Sequence, residues 1–229
     1  MNKFFKNDSF YNYILLKINK EEIELKDLDD IKEVSIKNEK NDKFDIRDLE
    51  RLNNLKSLTI RDFKINNYET NTINRCKNIE NLQFINCKFN SKSRLLSNNI
   101  KTLIIDNCKG VNIRYFNNLE RINNLKIYNV KKIDSRKLSR MSELEKLTLN
   151  DTKIKHPLYL AKLNKLANLN IKGCKYNKIL IDVLKNKFQI DIWNKYKNYK
   201  EELIKRNKAL YLILFFIIKM FLNKRTFFM

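Results

Sequence analysis

Leu163 to Cys174 reads LNKLANLNIKGC, and its spacing predicts more about the fold than any other segment. Its apolar residues stand three apart at Leu163, Leu166 and Leu169, then two apart at Ile171, and Cys174 closes the segment. An isolated amphipathic helix or strand keeps one period throughout. This segment therefore predicts a chain that turns a corner, forms one short strand and leaves it by a second corner.

The same pattern recurs along most of the chain. Aligned on the first apolar residue of each strand, the steps are 24, 24, 21, 22, 22, 22 and 21 residues. The aligned residues are Val34, Leu58, Leu82, Leu103, Leu125, Leu147, Leu169 and Ile190. In the last repeat, Leu184 and Phe188 replace the regular residues before the strand. Steps of this size are typical of stacked repeats that share one continuous core.

The corner after each strand also has a regular composition. Four positions after the aligned residue, seven of eight repeats have Asn or Asp and the other has Gly173. The seven are Asn38, Asp62, Asn86, Asn107, Asn129, Asp151 and Asn194. Asn and Asp tolerate left-handed backbone, and Gly adopts it freely. The pattern predicts that each strand turns off the sheet at this position.

From about Leu28 to Trp193 the repeats resemble the leucine-rich repeat superfamily, with its pattern L-x-x-L-x-L-x-x-N/C-x-L. They depart from it at the N/C position, which holds Glu39, Phe63, Cys87, Cys108, Val130, Thr152 and Cys174. The resemblance implies an α/β solenoid with short parallel strands on a concave face and an irregular, short-helical convex side. Helical turns are expected after Asp134, after Pro157 and at 178–186. The short Cys-containing repeats, rich in Lys, Asn and Ile, also resemble repeat families of large DNA viruses with AT-rich genomes.

Three regions follow from these patterns. Residues 1–27 do not fit the repeat, and their aromatic cluster predicts an N-terminal cap on the core. Residues 28–194 form the solenoid of about eight repeats, and residues 195–229 form a basic helical linker and an apolar tail. The apolar run is shorter as a helix than the roughly 30 Å hydrocarbon core of a bilayer. Residues 209–229 are therefore compatible with a membrane anchor, a helix packed on the solenoid, or an interfacial or partner-binding helix.

Charge and cysteine usage restrict the partners and the compartment. The formal net charge is +22, and residues 51–229 are strongly basic. A basic surface attracts anionic partners, which makes nucleic acid the alternative partner class. The sequence has four cysteines, no C-x-x-C pair and no secretory signal, which is typical of a reducing compartment. We expect a cytoplasmic protein, with membrane association through the C-terminus as the alternative.

No residue set in the sequence predicts an enzyme, a metal site or a cofactor. Cys76, Cys87, Cys108 and Cys174 fall at predicted core positions. His156 is the single histidine and has no catalytic partner at a recognisable spacing. Two glycines are too few to build a phosphate-binding loop.

The residues that alternate outward on the strands are the candidate binding site. Three apolar side chains lie on neighbouring repeats, with charged residues around them. The six residues are Arg61, Ile85, Ile104, Asp106, Lys126 and Tyr128. A mixed apolar and charged patch is typical of a protein interface, although a solvent-exposed strand face explains the same pattern. We therefore predict a protein-interaction scaffold that binds its partner through the concave face. The alternative is a solenoid that binds nucleic acid through its Lys-rich surface.

Overall fold

The computed structural model describes residues 4–38, 44–90, 94–95, 99–112 and 120–175. Its strands, numbered in chain order, are β1 (Glu33–Lys37), β2 (Ser57–Arg61), β3 (Lys64–Ile65), β4 (Asn81–Ile85), β5 (Lys88–Phe89), β6 (Thr102–Asp106), β7 (Asn124–Tyr128), β8 (Lys132–Asp134), β9 (Lys146–Asn150), β10 (Lys153–Lys155) and β11 (Asn168–Asn170). One parallel sheet holds seven of them in the order β1-β2-β4-β6-β7-β9-β11. Each repeat therefore places its strand beside those of the preceding and following repeats.

The register of this sheet aligns equivalent positions of every repeat. Val34 pairs with Leu58, Leu58 with Leu82, and the row continues to Leu169. The second and fourth residues of each five-residue strand are buried, and the others face outward. A second buried row precedes the strands and comprises Ile31, Leu55, Ile79, Ile100, Ile122, Leu144 and Leu166. The predicted eighth strand at Ile190 lies outside the described residues.

Two helices precede β1, and the other helical segments lie in the connections between strands. The helices are α1 (Asp8–Ile18), α2 (Leu25–Asp29), α3 (Asn67–Arg75) and α4 (Ser135–Leu138), with 3₁₀ helices at Ile46–Arg51 and Pro157–Lys162. The predicted turns after Asp134 and at Pro157 are confirmed. Asp134 caps α4 by accepting a hydrogen bond from the amide of Arg136 at 3.1 Å. The helix predicted at 178–186 lies outside the described residues.

The convex side has more regular structure than the sequence predicts. β3 pairs with β5, and β8 pairs with β10, both in parallel. Single bridges extend these pairs from Lys88 to Lys109 and from Lys153 to Lys175. These strands are two or three residues long, so their alternation is too short to be recognised in the sequence.

The segment before the first strand is tied to the first repeat. Phe10 and Ile14 of α1 are buried. The Tyr13 hydroxyl accepts a hydrogen bond from the amide of Ser35 on β1 at 3.2 Å. The carboxylate of Asp48 accepts hydrogen bonds from the backbone of the residues preceding α1. α1 therefore lies beside β1, which is an edge strand of the main sheet.

Within the described ranges, no helix has the length and apolar character needed to cross a membrane. The predicted basic linker and apolar tail, residues 195–229, lie outside these ranges.

Candidate functional site

The corner that ends each strand has left-handed backbone. Asp62, Asn86, Asn107, Asn129 and Asp151 have φ between 49° and 62°. Gly173, which replaces them in its repeat, has φ 66°. Asn and Asp tolerate this conformation, and Gly adopts it without a steric penalty. This prediction is confirmed for these six corners, where the chain leaves the sheet at the same height in each repeat.

Side chains at the next position join neighbouring repeats. The amide of Cys87 donates to Sγ of Cys108 at 3.3 Å, and Cys108 Sγ donates to the carbonyl oxygen of Phe84 at 3.6 Å. In a later repeat, Cys174 Sγ donates to the carbonyl oxygen of Leu149 at 2.8 Å. The cysteines thus satisfy buried backbone groups between repeats. These hydrogen bonds explain why this corner accommodates a thiol.

Burial makes the thiols of Cys76 and Cys108 poor nucleophiles and shields that of Cys87 from solvent, although the hydrogen bond with Cys108 lowers the pKa of Cys87. Cys76, Cys87 and Cys108 are 8%, 1% and 3% exposed, while Cys174 is half-buried. Burial raises the pKa of Cys76 to about 11. The hydrogen bond with Cys87 and burial both raise the pKa of Cys108. Since the thiolate is the reactive form, the described cysteines have a structural role.

We expect iodoacetamide at neutral pH to alkylate Cys174 first and to leave Cys76, Cys87 and Cys108 unmodified in the folded protein. The reason is that Cys174 alone of the four is not fully buried. Peptide mass spectrometry after timed quenching measures the order, with protein in guanidinium as the control in which all four react. Early alkylation of Cys87 or Cys108 in the folded protein would contradict their place in the core.

The histidine lies away from any catalytic arrangement. His156 is exposed, has φ 54° and precedes the 3₁₀ helix at Pro157. Its ring lies 6.5 Å from that of Tyr159, edge to face. Among the described residues, no group of three or more His, Cys, Asp and Glu side chains is placed to hold a metal ion.

The six predicted binding residues lie on four adjacent strands, and we call them the concave patch. One row across the sheet pairs Arg61 with Ile85, Ile85 with Asp106, and Asp106 with Tyr128. A second row, two residues earlier, pairs Ile104 with Lys126. Neighbouring strands are about 4.8 Å apart, so side chains in a row are close neighbours. The sheet brings all six residues together.

The register also changes the expected shape of the patch. Asp106 lies between Ile85 and Tyr128, and Ile104 precedes it by two residues on the same strand. The three apolar side chains therefore surround a carboxylate and do not form a continuous apolar surface. The Asp106 carboxylate accepts a hydrogen bond from the side-chain amide of Asn129 at 3.0 Å.

Exposure and bonding distinguish the patch from the rest of the concave face. Arg61 is exposed, and the other five side chains are half-buried. Within the described part of the chain, no hydrogen bond or ion pair engages the Arg61 guanidinium, the Lys126 ammonium or the Tyr128 hydroxyl. The outward residues elsewhere in the two rows are mostly small or polar: Thr59, Gln83, Thr148, Asn150 and Asn170. Unused donors beside half-buried apolar groups are thus concentrated at the middle of the sheet.

A groove that the sequence does not predict lies at the N-terminal ends of the strands. It encloses about 500 Å³ and is lined by Asn78, Glu80, Asn99, Lys101, Arg121, Asn123, Glu143 and Glu145. Lys101 forms an ion pair with Glu80 at 2.8 Å. Lys165 pairs with Glu143. Because acidic and basic groups here neutralise one another, the groove is a weaker candidate than the concave patch.

Two solved structures resemble this arrangement. The internalin InlF from Listeria monocytogenes superposes with a TM-score of 0.60 at 17% identity, over 81% of this chain and 62% of that chain. Internalin C2 from the same species superposes with a TM-score of 0.51 at 20% identity, over 77% of this chain and 89% of that chain. The chain has the fold of a leucine-rich repeat solenoid. The predicted α/β fold class is therefore confirmed.

The leucine-rich repeat fold is established here by structure and not by sequence similarity. No family model matches the sequence. No curated protein sequence matches it either. The chain spans less than two thirds of the length of InlF. At these levels of identity, the likeness concerns the path of the backbone, and the outward residues have to be interpreted from their own chemistry.

Proposed function

We propose that this leucine-rich repeat protein is a non-enzymatic scaffold that binds a protein partner through the concave patch. The observation that supports it is the cluster of half-buried apolar side chains beside unengaged Arg61, Lys126 and Tyr128 in the middle of the sheet. Tyr and Arg are enriched in protein interfaces and among the residues that contribute most binding energy.

The shape of the site also favours a macromolecular partner. The concave patch extends over β2, β4, β6 and β7 as an open, regular surface. Small-molecule sites are usually enclosed and bury most of their ligand. An open sheet face instead contacts a partner through many side chains at once, with Tyr128 and Ile104 as apolar anchors and Arg61, Asp106 and Lys126 setting orientation.

The chemistry of the described residues supports a non-enzymatic role. Three of the four cysteines are buried, and the Ser135 hydroxyl beside His156 donates to backbone carbonyl oxygens, including that of His156 at 2.7 Å, so it is not paired with the imidazole. Membrane attachment through residues 209–229 stays a prediction, because those residues lie outside the described ranges. Cytoplasmic localisation also stays a prediction from the sequence.

Replacing Ile85, Ile104 and Tyr128 together with Ser removes the apolar part of the concave patch. We expect affinity capture from native extract, followed by mass spectrometry, to lose the partner that the unmodified chain recovers. Truncating interface anchors commonly costs about 2 kcal/mol or more each, which corresponds to a loss of about 30-fold or more in affinity. Circular dichroism measures whether the fold is retained.

Leu16, Leu25 and Tyr68 provide a matched control, because they are 83%, 74% and 45% exposed and lie away from the concave sheet. Changing these three to Ser removes two aliphatic side chains and one tyrosine, as in the concave patch variant. Recovery of the same partner by this control supports the proposal. Equal recovery by both variants would show that the concave patch is not the binding site.

A further inference from the structure

One position of the repeat carries a lysine in seven successive repeats. It directly follows the N/C position and holds Lys40, Lys64, Lys88, Lys109, Lys131, Lys153 and Lys175. Lys40 lies outside the described residues. The short strands that follow the corner show where this position lies in the fold.

The short strands beyond the corner align five of these lysines, and at β8 the next residue, Lys132, takes the paired position in place of Lys131. Lys64 pairs with Lys88, and Lys88 bridges to Lys109. In the later repeats, Lys132 pairs with Lys153, and Lys153 bridges to Lys175. Because paired strands lie about 4.8 Å apart, successive ammonium groups are attached at that interval. We use the name lysine ladder for the six paired lysines and for Lys131, which directly precedes Lys132. The six are Lys64, Lys88, Lys109, Lys132, Lys153 and Lys175.

The backbone presents the lysine ladder to solvent. All seven side chains are exposed, while Ile65, Phe89, Ile133 and Ile154, each directly following a ladder lysine, are buried. Backbone hydrogen bonds fix the register: the amide of Lys109 donates to the carbonyl oxygen of Cys87 at 2.9 Å, and that of Lys175 donates to the carbonyl oxygen of Thr152 at 3.1 Å. The alternation therefore turns Lys64, Lys88, Lys132 and Lys153 away from the core.

The ladder lysines differ in their ion pairing from lysines at other edges of the fold. Lys20, Lys101 and Lys165 form ion pairs with carboxylates. Across the described ranges, no ladder lysine forms an ion pair or a side-chain hydrogen bond. The nearest acidic residues in sequence are Asp62, Asp134 and Asp151, and Asp134 is paired with Arg136. Like charges directly opposite on paired strands are destabilising, so an anionic partner would relieve their repulsion.

We propose that the lysine ladder is a second interaction surface that binds the phosphate backbone of duplex nucleic acid without reading its sequence. Its lysines form rows along the solenoid axis, and a linear polyanion fits such rows better than a planar membrane surface does. Phe63 and Phe89 beside the ladder are 6% and 5% exposed. They therefore provide no platform for stacking unpaired bases, which favours phosphate contacts to a duplex. This surface is separate from the concave patch, and neither proposal depends on the other.

The test replaces Lys88, Lys109, Lys153 and Lys175 with Gln in the full chain. Fluorescence anisotropy with a labelled DNA duplex of random sequence measures the dissociation constant at several salt concentrations. Each lost phosphate contact reduces the slope of log K against log salt by about 0.9. The unmodified chain loses affinity as salt rises from about 50 to about 200 mM. Without four phosphate contacts, the fold-loss in affinity over this range should be about 100 times smaller.

A matched control changes Lys17, Lys32, Lys56 and Lys77 to Gln. These four are also exposed, and the net charge changes equally. If the control variant has the same salt slope as the unmodified chain, the result supports the proposal. A second variant replaces the four ladder lysines with Arg, which retains the charge and should retain duplex binding, so a folding defect in the Gln variant is recognised.

Three results would overturn the proposal. The first is no duplex binding by the unmodified chain at the lowest salt. The second is an equal loss of binding in the control and in the ladder variant, which would indicate diffuse attraction to a basic protein. The third is ladder-dependent binding of anionic phospholipid vesicles without binding of the duplex, which would assign the surface to a membrane.

Discussion

Replacing Phe84 with Ala is expected to lower the free energy of unfolding by about 3–5 kcal/mol, the range for removing a buried aromatic side chain. Phe84 on β4 is 0% exposed, and its ring lies edge to face with that of Phe89 at 5.0 Å between centroids. It stands in the inward row between Ile60 and Ile105. Urea denaturation followed by circular dichroism measures the change.

The neighbouring Gln83 provides the control for this prediction. Gln83 faces outward on the same strand and is half-buried. We expect Gln83→Ala to change the free energy of unfolding by about 0.5 kcal/mol or less, as is usual for surface substitutions. A one-residue slip in register would exchange the inward and outward faces. A larger effect at Gln83 than at Phe84 would therefore contradict the register of the sheet.

Replacing Asp48 with Ala is expected to lower the free energy of unfolding by about 1–3 kcal/mol, because it leaves two part-buried backbone donors without their acceptor. Asp48 is 1% exposed, and its carboxylate accepts hydrogen bonds from the amides of Lys6 at 2.9 Å and Asn7 at 3.0 Å. Asn7 in turn caps α1 by accepting from the amide of Phe10 at 2.7 Å. Loss of the Asp48 side chain should therefore destabilise α1 and also the 3₁₀ helix Ile46–Arg51, which contains Asp48.

Amide hydrogen exchange locates the effect of Asp48→Ala. Exchange should become faster across α1, while β6 and β7 keep their protection. Glu22→Ala is the control, since Glu22 is exposed and makes no described side-chain bond. Unchanged exchange in α1 would contradict a role of Asp48 in holding this helix against the first repeat.

The inward and outward faces could be predicted because their signal repeats. Leu58, Leu82 and Leu103 occupy the same inward position, and each new repeat tests the alignment independently. The Asn and Asp corners were predictable for a local reason, since left-handed backbone restricts which residues fit. Periodicity and backbone sterics together thus define most of the fold before any contact is known.

Features that depend on pairing or on distant segments could not be predicted in the same way. Asp106 lies between Ile85 and Tyr128 because of the register of three strands, so the predicted apolar patch has a carboxylate at its centre. Asp48 bonds a backbone amide 42 residues away, and no local pattern indicates such a contact. The lysines of the ladder recur in the sequence, but their pairing was not predictable because the strands are only two or three residues long.

The repeat-by-repeat register has a consequence for how such a protein can change in length. Every strand of the main sheet between β1 and β11 bonds only its two neighbours, so an inserted or deleted turn disturbs two junctions and no distant contact. Whole-turn duplication would lengthen the concave face and the lysine ladder together, by about 4.8 Å each time. The lengths of both surfaces therefore depend on the same variable, the number of repeats that the gene encodes.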